Sequence, residues 1–188
     1  RLVASCTYPI SEAIEVRTST PAIERIRRNI IGLLYRRAPN SEFMRQWYDR
    51  YQEPQFRLSL DVEESCILCR LCVKACEEMG SSAIAAVFRG TEKRIGTPYD
   101  DAATACIGCG ACAQICPTRA IVMTESEDRR IIWNKDFTLV RCQRCGQPVG
   151  TPEQLEYIAS KSGLPLEIEL CQECRRKQAA VRVSGFHG

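Results

Sequence analysis

The sequence of 188 residues predicts an α+β fold built around two repeated cysteine runs, with a helical segment before them and a four-cysteine module after them. The first run reads Cys66-x2-Cys69-x2-Cys72-x3-Cys76. The second run repeats this spacing as Cys106-x2-Cys109-x2-Cys112-x3-Cys116. Two separate Cys-x2-Cys pairs follow them. Ahead of the runs, apolar residues recur at helical spacing between positions 23 and 34, as on a helix that faces a core.

The spacing of the two runs is typical of a bacterial ferredoxin-like module that binds two 4Fe–4S clusters. Three cysteines at this spacing wrap a loop around three corners of a cluster, and the last cysteine of each run ligates the other cluster. The predicted ligands of the first cluster are Cys66, Cys69, Cys72 and Cys116. The predicted ligands of the second cluster are Cys76, Cys106, Cys109 and Cys112. Structural zinc uses separated pairs, and disulfide frameworks suit short secreted chains, so neither fits two runs of four.

We expect three domains. Residues 1–57 should form a first unit with a helical linker, residues 58–124 the two-cluster module, and residues 125–188 a zinc-ribbon-like module with a tail. The two-cluster module should have a pseudo-twofold (βαβ)2 fold. Its predicted strands lie at 58–60, 83–88 and 121–123, and a helix should begin near Cys72.

Local signals place the helices of the linker. Thr20 is a suitable N-cap with Pro21 in the first helical position, and Pro39 ends this helix. Ser41 caps a second predicted helix that reaches about Tyr51. Its aromatic stripe of Phe43, Trp47 and Tyr51 is expected in a core or an interface.

The two later cysteine pairs, Cys142-x2-Cys145 and Cys171-x2-Cys174, have zinc-ribbon spacing. Four thiolates close a zinc tetrahedron and leave no open position, so the sequence favours one structural Zn2+. A third cluster, a rubredoxin-like single iron or a pair of disulfides are the alternatives. Between the pairs we expect a helix that Thr151 or Pro152 begins and Gly163 ends, followed by a strand at 166–170. After Arg175 we expect a helix end and a loose tail that contains His187, most simply a solvated side chain.

The N-terminal residues carry a family resemblance. Ser5-Cys6-Thr7-Tyr8-Pro9, then Glu15-Val16-Arg17-Thr18 and an Arg-rich helix, resemble the N-terminal iron–sulfur part of the large iron–sulfur subunit of complex I. The same pattern occurs in the diaphorase iron–sulfur subunit of NAD-reducing NiFe-hydrogenases, in FeFe-hydrogenases and in NAD-dependent formate dehydrogenases. The insertion from Ala83 to Tyr99 resembles a hairpin of that family.

The resemblance implies that residues 1–57 are the remnant of the end of a 2Fe–2S domain followed by the helical linker. It also implies that Cys6 matches the last of four 2Fe–2S ligands. The other three would lie upstream of Arg1, so a 2Fe–2S cluster is expected only if a further domain precedes this sequence. The family also carries a His-plus-three-Cys cluster after the helix. That place here is Ala38 to Phe43, which has neither ligand type, and we expect the second helix to fill the space.

Composition and charge favour a docked subunit. With a formal net charge of +3, the chain lacks the strong acidic field with which a freely diffusing ferredoxin finds its partners. We find no pairing of a nucleophile with a base, no phosphate-binding glycine loop and no radical-SAM spacing, so the chain is expected to pass electrons without catalysing a reaction alone. No 18-residue apolar run and no signal peptide is visible, and many free thiolates suit a reducing cytoplasm.

The predicted function is therefore that of an iron–sulfur electron-transfer subunit in an oxidoreductase complex. Its expected partners are a flavin/NAD(P)H diaphorase module and a hydrogenase- or formate-dehydrogenase-like catalytic subunit. A free ferredoxin-like carrier is one alternative. A nucleic-acid-binding iron–sulfur protein is another, suggested by Arg27-Arg28, Arg36-Arg37 and Arg175-Arg176-Lys177, but the net charge is small for that role, so no nucleic acid is expected.

Overall fold

The computed structural model describes residues 2–51, 63–163 and 170–184, with side chains described through Val181. The expected strands at 58–60 and 166–169 and the position of His187 lie outside these residues. The helices of the described ranges are α1 (Pro21–Arg37), α2 (Glu42–Tyr51), α3 (Leu71–Glu78), α4 (Ala111–Ile115), α5 (Pro152–Ser162) and α6 (Gln172–Ser184). The strands are β1 (Ala85–Val87), β2 (Arg94–Gly96), β3 (Met123–Glu125), β4 (Arg129–Ile132), β5 (Lys135–Thr138), β6 (Val140–Arg141) and β7 (Pro148–Gly150).

Helices α1 and α2 begin where the sequence predicts. The Thr20 hydroxyl accepts a hydrogen bond from the Ile23 backbone N–H at 3.3 Å, with Pro21 as the first helical residue. The hydroxyl of Ser41, which is 1% exposed, accepts from the Met44 N–H at 3.3 Å. Each bond satisfies one of the N–H groups that a helix leaves unpaired at its start, which is why these residues begin the helices.

The aromatic stripe of α2 lies on the surface of the described structure. Phe43 and Trp47 are 38% and 37% exposed, and the Trp47 ring stacks on Tyr51 with centroids 6.0 Å apart. The stripe therefore contributes nothing to the core within the described residues. The β-branched residues and Pro9 of the first 17 residues predict short strands with a turn, but residues 2–17 form no strand with any other described part of the chain.

Two contacts join the helical segment to the region of the first cysteine run. The Arg37 guanidinium donates to the Lys93 carbonyl at 2.8 Å, and the Asn40 N–H donates to the Glu64 carbonyl at 3.2 Å. The Glu64 carboxylate in turn accepts from the N–H groups of Ser65 and Cys66. Through Glu64, the segment that follows α1 is thereby connected to Cys66, the first cysteine of the first run.

Helices α3 and α4 pack against each other, and their buried side chains form one core with the segments that follow each run. The expected strand in 83–88 is present as β1, which forms an antiparallel hairpin with β2 in the register Ala85↔Gly96. The buried members of this core are Cys72, Val73, Cys76, Ala83, Ile84, Ala103, Cys112, Ile132 and Phe137.

Strands β3, β4 and β5 form an antiparallel sheet that runs across the expected domain limit at 124/125. Met123 pairs with Ile132, and Ile132 pairs with Lys135. Ile132 and Phe137, each 2% exposed, belong to the core shared with α3 and α4. Residues 129–138 therefore pack as part of the ferredoxin-like core, while the division into three domains remains a prediction.

The C-terminal part contains a further short sheet, β6–β7, and helices α5 and α6. Thr151 caps α5 and Gly163 ends it with φ of +65°, as predicted. The expectation of a loose tail after Arg175 was wrong for the described residues, because α6 continues to Ser184. Within the described ranges, no helix has the length and apolar character needed to cross a bilayer.

Candidate metal centres

The first cavity is lined by three cysteines of the first run and by the last cysteine of the second. Its volume is about 140 Å3. Its sulfur-bearing residues are Cys66, Cys69, Cys72 and Cys116. Cys66 and Cys69 lie in a loop, Cys72 lies in the first turn of α3, and Cys116 directly follows α4. The structure thus brings together the four residues that the sequence groups as the first ligand set.

The second cavity is smaller, with a volume of about 10 Å3, and has the reciprocal lining. Its cysteines are Cys76, Cys106, Cys109 and Cys112. Cys76 lies near the end of α3 and Cys112 near the start of α4. Because α3 and α4 pack side by side, the last cysteine of each run reaches the cavity of the other run. All thirteen cysteines of the chain lie in described residues, and each is free of a disulfide.

The two loops repeat the same backbone conformation with different residues. Leu68 and Arg70 have φ of +56° and +63°, and Gly108 and Gly110 have φ of +66° and +73° at the matching positions. This left-handed conformation costs a side-chain-bearing residue about 1–2 kcal/mol, whereas glycine adopts it freely. The first loop therefore carries strain that the second loop avoids. Arg70 and Gly110 are also the N-cap residues of α3 and α4.

Burial and hydrogen bonds act in opposite directions on the thiols of both cavities. Burial raises the pKa of Cys72 to about 11, and it also raises the pKa values of Cys66, Cys106 and Cys112. Burial also raises the pKa of Cys116, but hydrogen bonds from Thr118, Ala120 and Ile121 outweigh it, so this pKa is lowered. Most of these thiols therefore hold their protons at neutral pH without a metal, and binding a metal must release them.

Hydrogen-bond donors surround the sulfurs. The N–H groups of Leu68, Ala83 and Ala120 donate to the sulfurs of Cys66, Cys76 and Cys116 at 3.4, 3.2 and 3.3 Å. Donors at these positions stabilise negative charge on sulfur, which is the charge that a ligating thiolate carries. The donor set of four thiols with nearby N–H groups fits an iron–sulfur cluster in each cavity.

Side chains from beyond the two runs hold the second loop. Arg130 donates to the Gly108 carbonyl at 2.7 Å, and the Lys135 ammonium donates to the Cys106 carbonyl at 2.7 Å. The Thr151 hydroxyl donates to the Ile107 carbonyl at 2.5 Å. Cysteine spacing gives no signal for these contacts, because each donor lies more than 20 positions from the carbonyl that it binds.

Gly108 fits against the core without space for a side chain. A Cβ at this position would lie 2.8 Å from the Phe137 Cγ and 2.9 Å from the Thr151 Cγ2. Phe137 and Thr151 are almost completely buried. The glycine therefore allows both a left-handed turn and a close approach of the loop to β5 and to the start of α5.

The Thr151 hydroxyl both caps α5 and holds the second loop. It donates to Ile107 and accepts from the Gln154 N–H at 3.2 Å. Thr151→Val keeps the shape of the side chain but leaves the Gln154 N–H and the Ile107 carbonyl without a hydrogen-bond partner. We therefore expect a loss of about 1–3 kcal/mol in the free energy of unfolding. Denaturation followed by cluster absorbance and by circular dichroism measures it. Thr151→Ser keeps the hydroxyl and should retain most of the stability; equal losses in both variants would show that the hydroxyl is unimportant.

The later pairs, Cys142, Cys145, Cys171 and Cys174, bring their four sulfur atoms within 4.8 Å of one another. Cys145 and Cys171 have sulfurs 3.6 Å apart. Gly146, with φ of +71°, closes the first knuckle through its N–H bond to the Cys142 carbonyl at 2.9 Å. Such a compact set fits one metal ion bound by four thiolates.

The thiols of this four-cysteine group have different pKa values because their sulfurs interact with one another and with nearby N–H groups. Burial raises the pKa of Cys142, but N–H groups of Cys171, Cys145 and Arg144 outweigh it and lower this pKa to about 6. Burial and the neighbouring thiols raise the pKa of Cys174. A thiolate is therefore available near neutral pH to begin metal binding, and the remaining protons leave as the ion is bound.

Cys6 is exposed and, within the described residues, lines neither cavity and does not join the four-sulfur group. Its proposed relation to a 2Fe–2S site stays a prediction.

Comparisons with known proteins agree with these observations. Residues 61–124 match the family described as a 4Fe-4S dicluster domain, and residues 105–150 match a second family of the same description. The chain is 26% identical over 174 residues to a subunit of an NADH-quinone oxidoreductase of Rhizobium meliloti, with 78% of this chain and 20% of the relative covered. It is 29% identical over 182 residues to the alpha subunit of the NADPH-Fe(3+) oxidoreductase of Geobacter sulfurreducens, with 84% and 21% covered.

A third relative is the HndD subunit of the NADP-reducing hydrogenase of Solidesulfovibrio fructosivorans, which is 23% identical over 151 residues. The alignment covers 66% of this chain and 26% of that subunit. The chain thus spans about a fifth to a quarter of the length of these relatives. The resemblance that the sequence predicts, to iron–sulfur subunits of NADH- or NADPH-linked oxidoreductases and hydrogenases, is confirmed.

Proposed function

We propose that this chain, which carries a 4Fe–4S dicluster domain, is an iron–sulfur electron-transfer subunit of a multi-subunit oxidoreductase. The observation that carries the proposal is the pair of adjacent cavities, each lined by four cysteines and both lined by the same Trp133 side chain. When bound, 4Fe–4S clusters accept and release single electrons. The chain's own residues supply the thiolates, the N–H donors and an apolar surrounding.

In this proposal each cavity holds one cluster. The first is bound by Cys66, Cys69, Cys72 and Cys116. The second is bound by Cys76, Cys106, Cys109 and Cys112. The reciprocal lining of the cavities supports this division. Buried Ile84, Ile132 and Val73 lie in the same core and limit the access of water to the cysteines of α3 and α4.

The partners are proposed from the relatives. The names of these proteins refer to NADH, NADPH or NADP and, in one case, to a hydrogenase. We therefore propose that electrons pass between a flavin/NAD(P)H module and a catalytic partner of the hydrogenase or formate dehydrogenase type. A reducing compartment such as the cytoplasm would preserve the free thiols.

The Cys142–Cys174 group is proposed to bind one structural Zn2+. Its four sulfurs lie close enough for a single ion, which supports zinc or single iron over a third cubane. Because β7 follows the first knuckle and leads directly to Thr151, this metal would also support the residue that binds the second loop.

Metal analysis of the anaerobically purified chain, combined with EPR after reduction, tests the proposal. We expect about eight iron, about eight sulfide and about one zinc per chain, with signals of two interacting 4Fe–4S clusters. About twelve iron without zinc would make the last site a third cluster. Fewer than about four iron after anaerobic reconstitution would contradict the electron-transfer proposal. Gel filtration of a cell extract then separates a complexed subunit from a free carrier, which would elute alone.

A further inference from the structure

The turn between β4 and β5 presents an indole ring to both cavities. Trp133 and Asn134 have φ of +52° and +57°, and the flanking residues Ile132 and Lys135 pair with each other. This is a two-residue hairpin turn with positive φ at both central positions. Asparagine tolerates that conformation, whereas tryptophan is strained by it.

The strained conformation places the Trp133 Nε1 3.4 Å from the Cys112 sulfur. The indole N–H can only donate, so in this contact the sulfur is the acceptor. The rest of the half-buried ring lines both cavities. Buried Ile132 and Phe137 fix the two strands on either side of the turn, and Lys135 fixes the far strand to the Cys106 carbonyl.

We propose that Trp133 is a positioning residue that raises the reduction potential of the second cluster by donating its indole N–H to the Cys112 sulfur. The inference rests on the proposed function, since it assumes a cluster on Cys76, Cys106, Cys109 and Cys112. Reduction adds negative charge to the cluster and its sulfurs. A fixed donor interacts more strongly with the more negative form, and this favours reduction.

The contact differs in kind from the backbone donors of the two runs. Those donors follow from the loop conformation itself, as with Leu68 and Cys66. Trp133 lies on a hairpin that follows the second run, and a single side-chain exchange removes its donor without changing either loop. The hairpin thereby makes the potential of the second cluster adjustable independently of the ligands.

The test is an EPR-monitored redox titration of the full chain as Trp133→Phe, which keeps an aromatic ring and removes the N–H. We expect unchanged iron content and a lower midpoint potential for the second cluster. The equilibrium constant for its reduction should fall about three- to tenfold, and a tenfold change corresponds to about 59 mV for one electron. The potential of the first cluster should stay within a twofold change of that constant.

Pulsed EPR in D2O provides a second readout, because the indole proton exchanges with solvent. The coupling of the indole deuteron should be present in the wild type and missing from Trp133→Phe, whereas the couplings of backbone N–H groups, such as that of Ala83 at 3.2 Å from the Cys76 sulfur, should be the same in both. If Trp133→Phe loses iron, replacement of Trp133 by 3-benzothienylalanine, which has sulfur in place of the N–H, preserves the ring outline. Asn134→Gly is the matched control: it alters the same turn, leaves the indole in place and should leave the potential unchanged.

Equal potentials in the wild type and in the variant without the N–H would overturn the inference, and so would a set of deuterium couplings that is identical in the two proteins. A shift of the same size in Asn134→Gly would also overturn it, because the turn and not the indole would then control the potential. A wild-type chain without two clusters would instead overturn the proposed function, so the two failures are distinguishable.

Discussion

Cys116→Ala is expected to remove the cluster of the first run, although Cys116 belongs to the second. Its sulfur lies in the cavity of Cys66, Cys69 and Cys72, since α3 and α4 pack side by side. Removal of a ligand opens one corner of the cluster, so we expect the chain to retain about four of about eight iron. Iron analysis and EPR after reconstitution measure this loss.

The identity of the lost cluster follows from comparison with two other variants. Cys69→Ala removes a ligand that lies within the first loop, and Cys109→Ala removes its counterpart in the second. The residual spectrum of Cys116→Ala should match that of Cys69→Ala, and the residual spectrum of Cys76→Ala should match that of Cys109→Ala. The opposite matching would refute the reciprocal ligand sets. Cys6→Ala is the control and should keep both clusters, because this exposed residue lines neither cavity.

Gly108→Ala is expected to destabilise the protein strongly and to weaken the second cluster. The new methyl group would meet Phe137 and Thr151 at less than 3.0 Å, and φ of +66° adds backbone strain. Strain contributes about 1–2 kcal/mol and overpacking about 1–3 kcal/mol. The sum of about 2–5 kcal/mol corresponds to a fall of about 4–20 °C in Tm for a chain of this size. Thermal unfolding followed by cluster absorbance measures it.

Gly90→Ala is a matched control for the backbone contribution. Gly90 has a similar φ of +62°, and a Cβ there would have no atom within 4 Å. This variant should therefore lose only the strain contribution, about 1–2 kcal/mol, and keep both clusters. Similar losses of stability in Gly108→Ala and Gly90→Ala would show that Phe137 and Thr151 move aside at little cost in free energy. Adding Phe137→Leu to Gly108→Ala should recover part of the lost stability if the clash is its cause.

Local sequence signals determined much of this protein. Cysteine spacing predicted that the two runs supply cluster ligands in two sets of four and that the later pairs form a further metal site. The geometry of a metal site restricts how far apart its ligands can lie in a loop. Thr20, Ser41 and Thr151 identified the starts of three helices, since a capping hydroxyl acts on N–H groups two or three residues away.

Other features depended on contacts between distant parts of the chain. The placement of Trp133 at the Cys112 sulfur, and of Arg130, Lys135 and Thr151 on the second loop, arises from the packing of β4, β5 and α5 on the core. No local pattern marks these residues, because an ordinary strand or helix start can carry the same side chains. The sequence by itself thus determined which residues form the candidate metal sites, whereas the tertiary structure decided which side chains surround each site, because hydrogen bonds and close packing require positions that only the folded chain brings together.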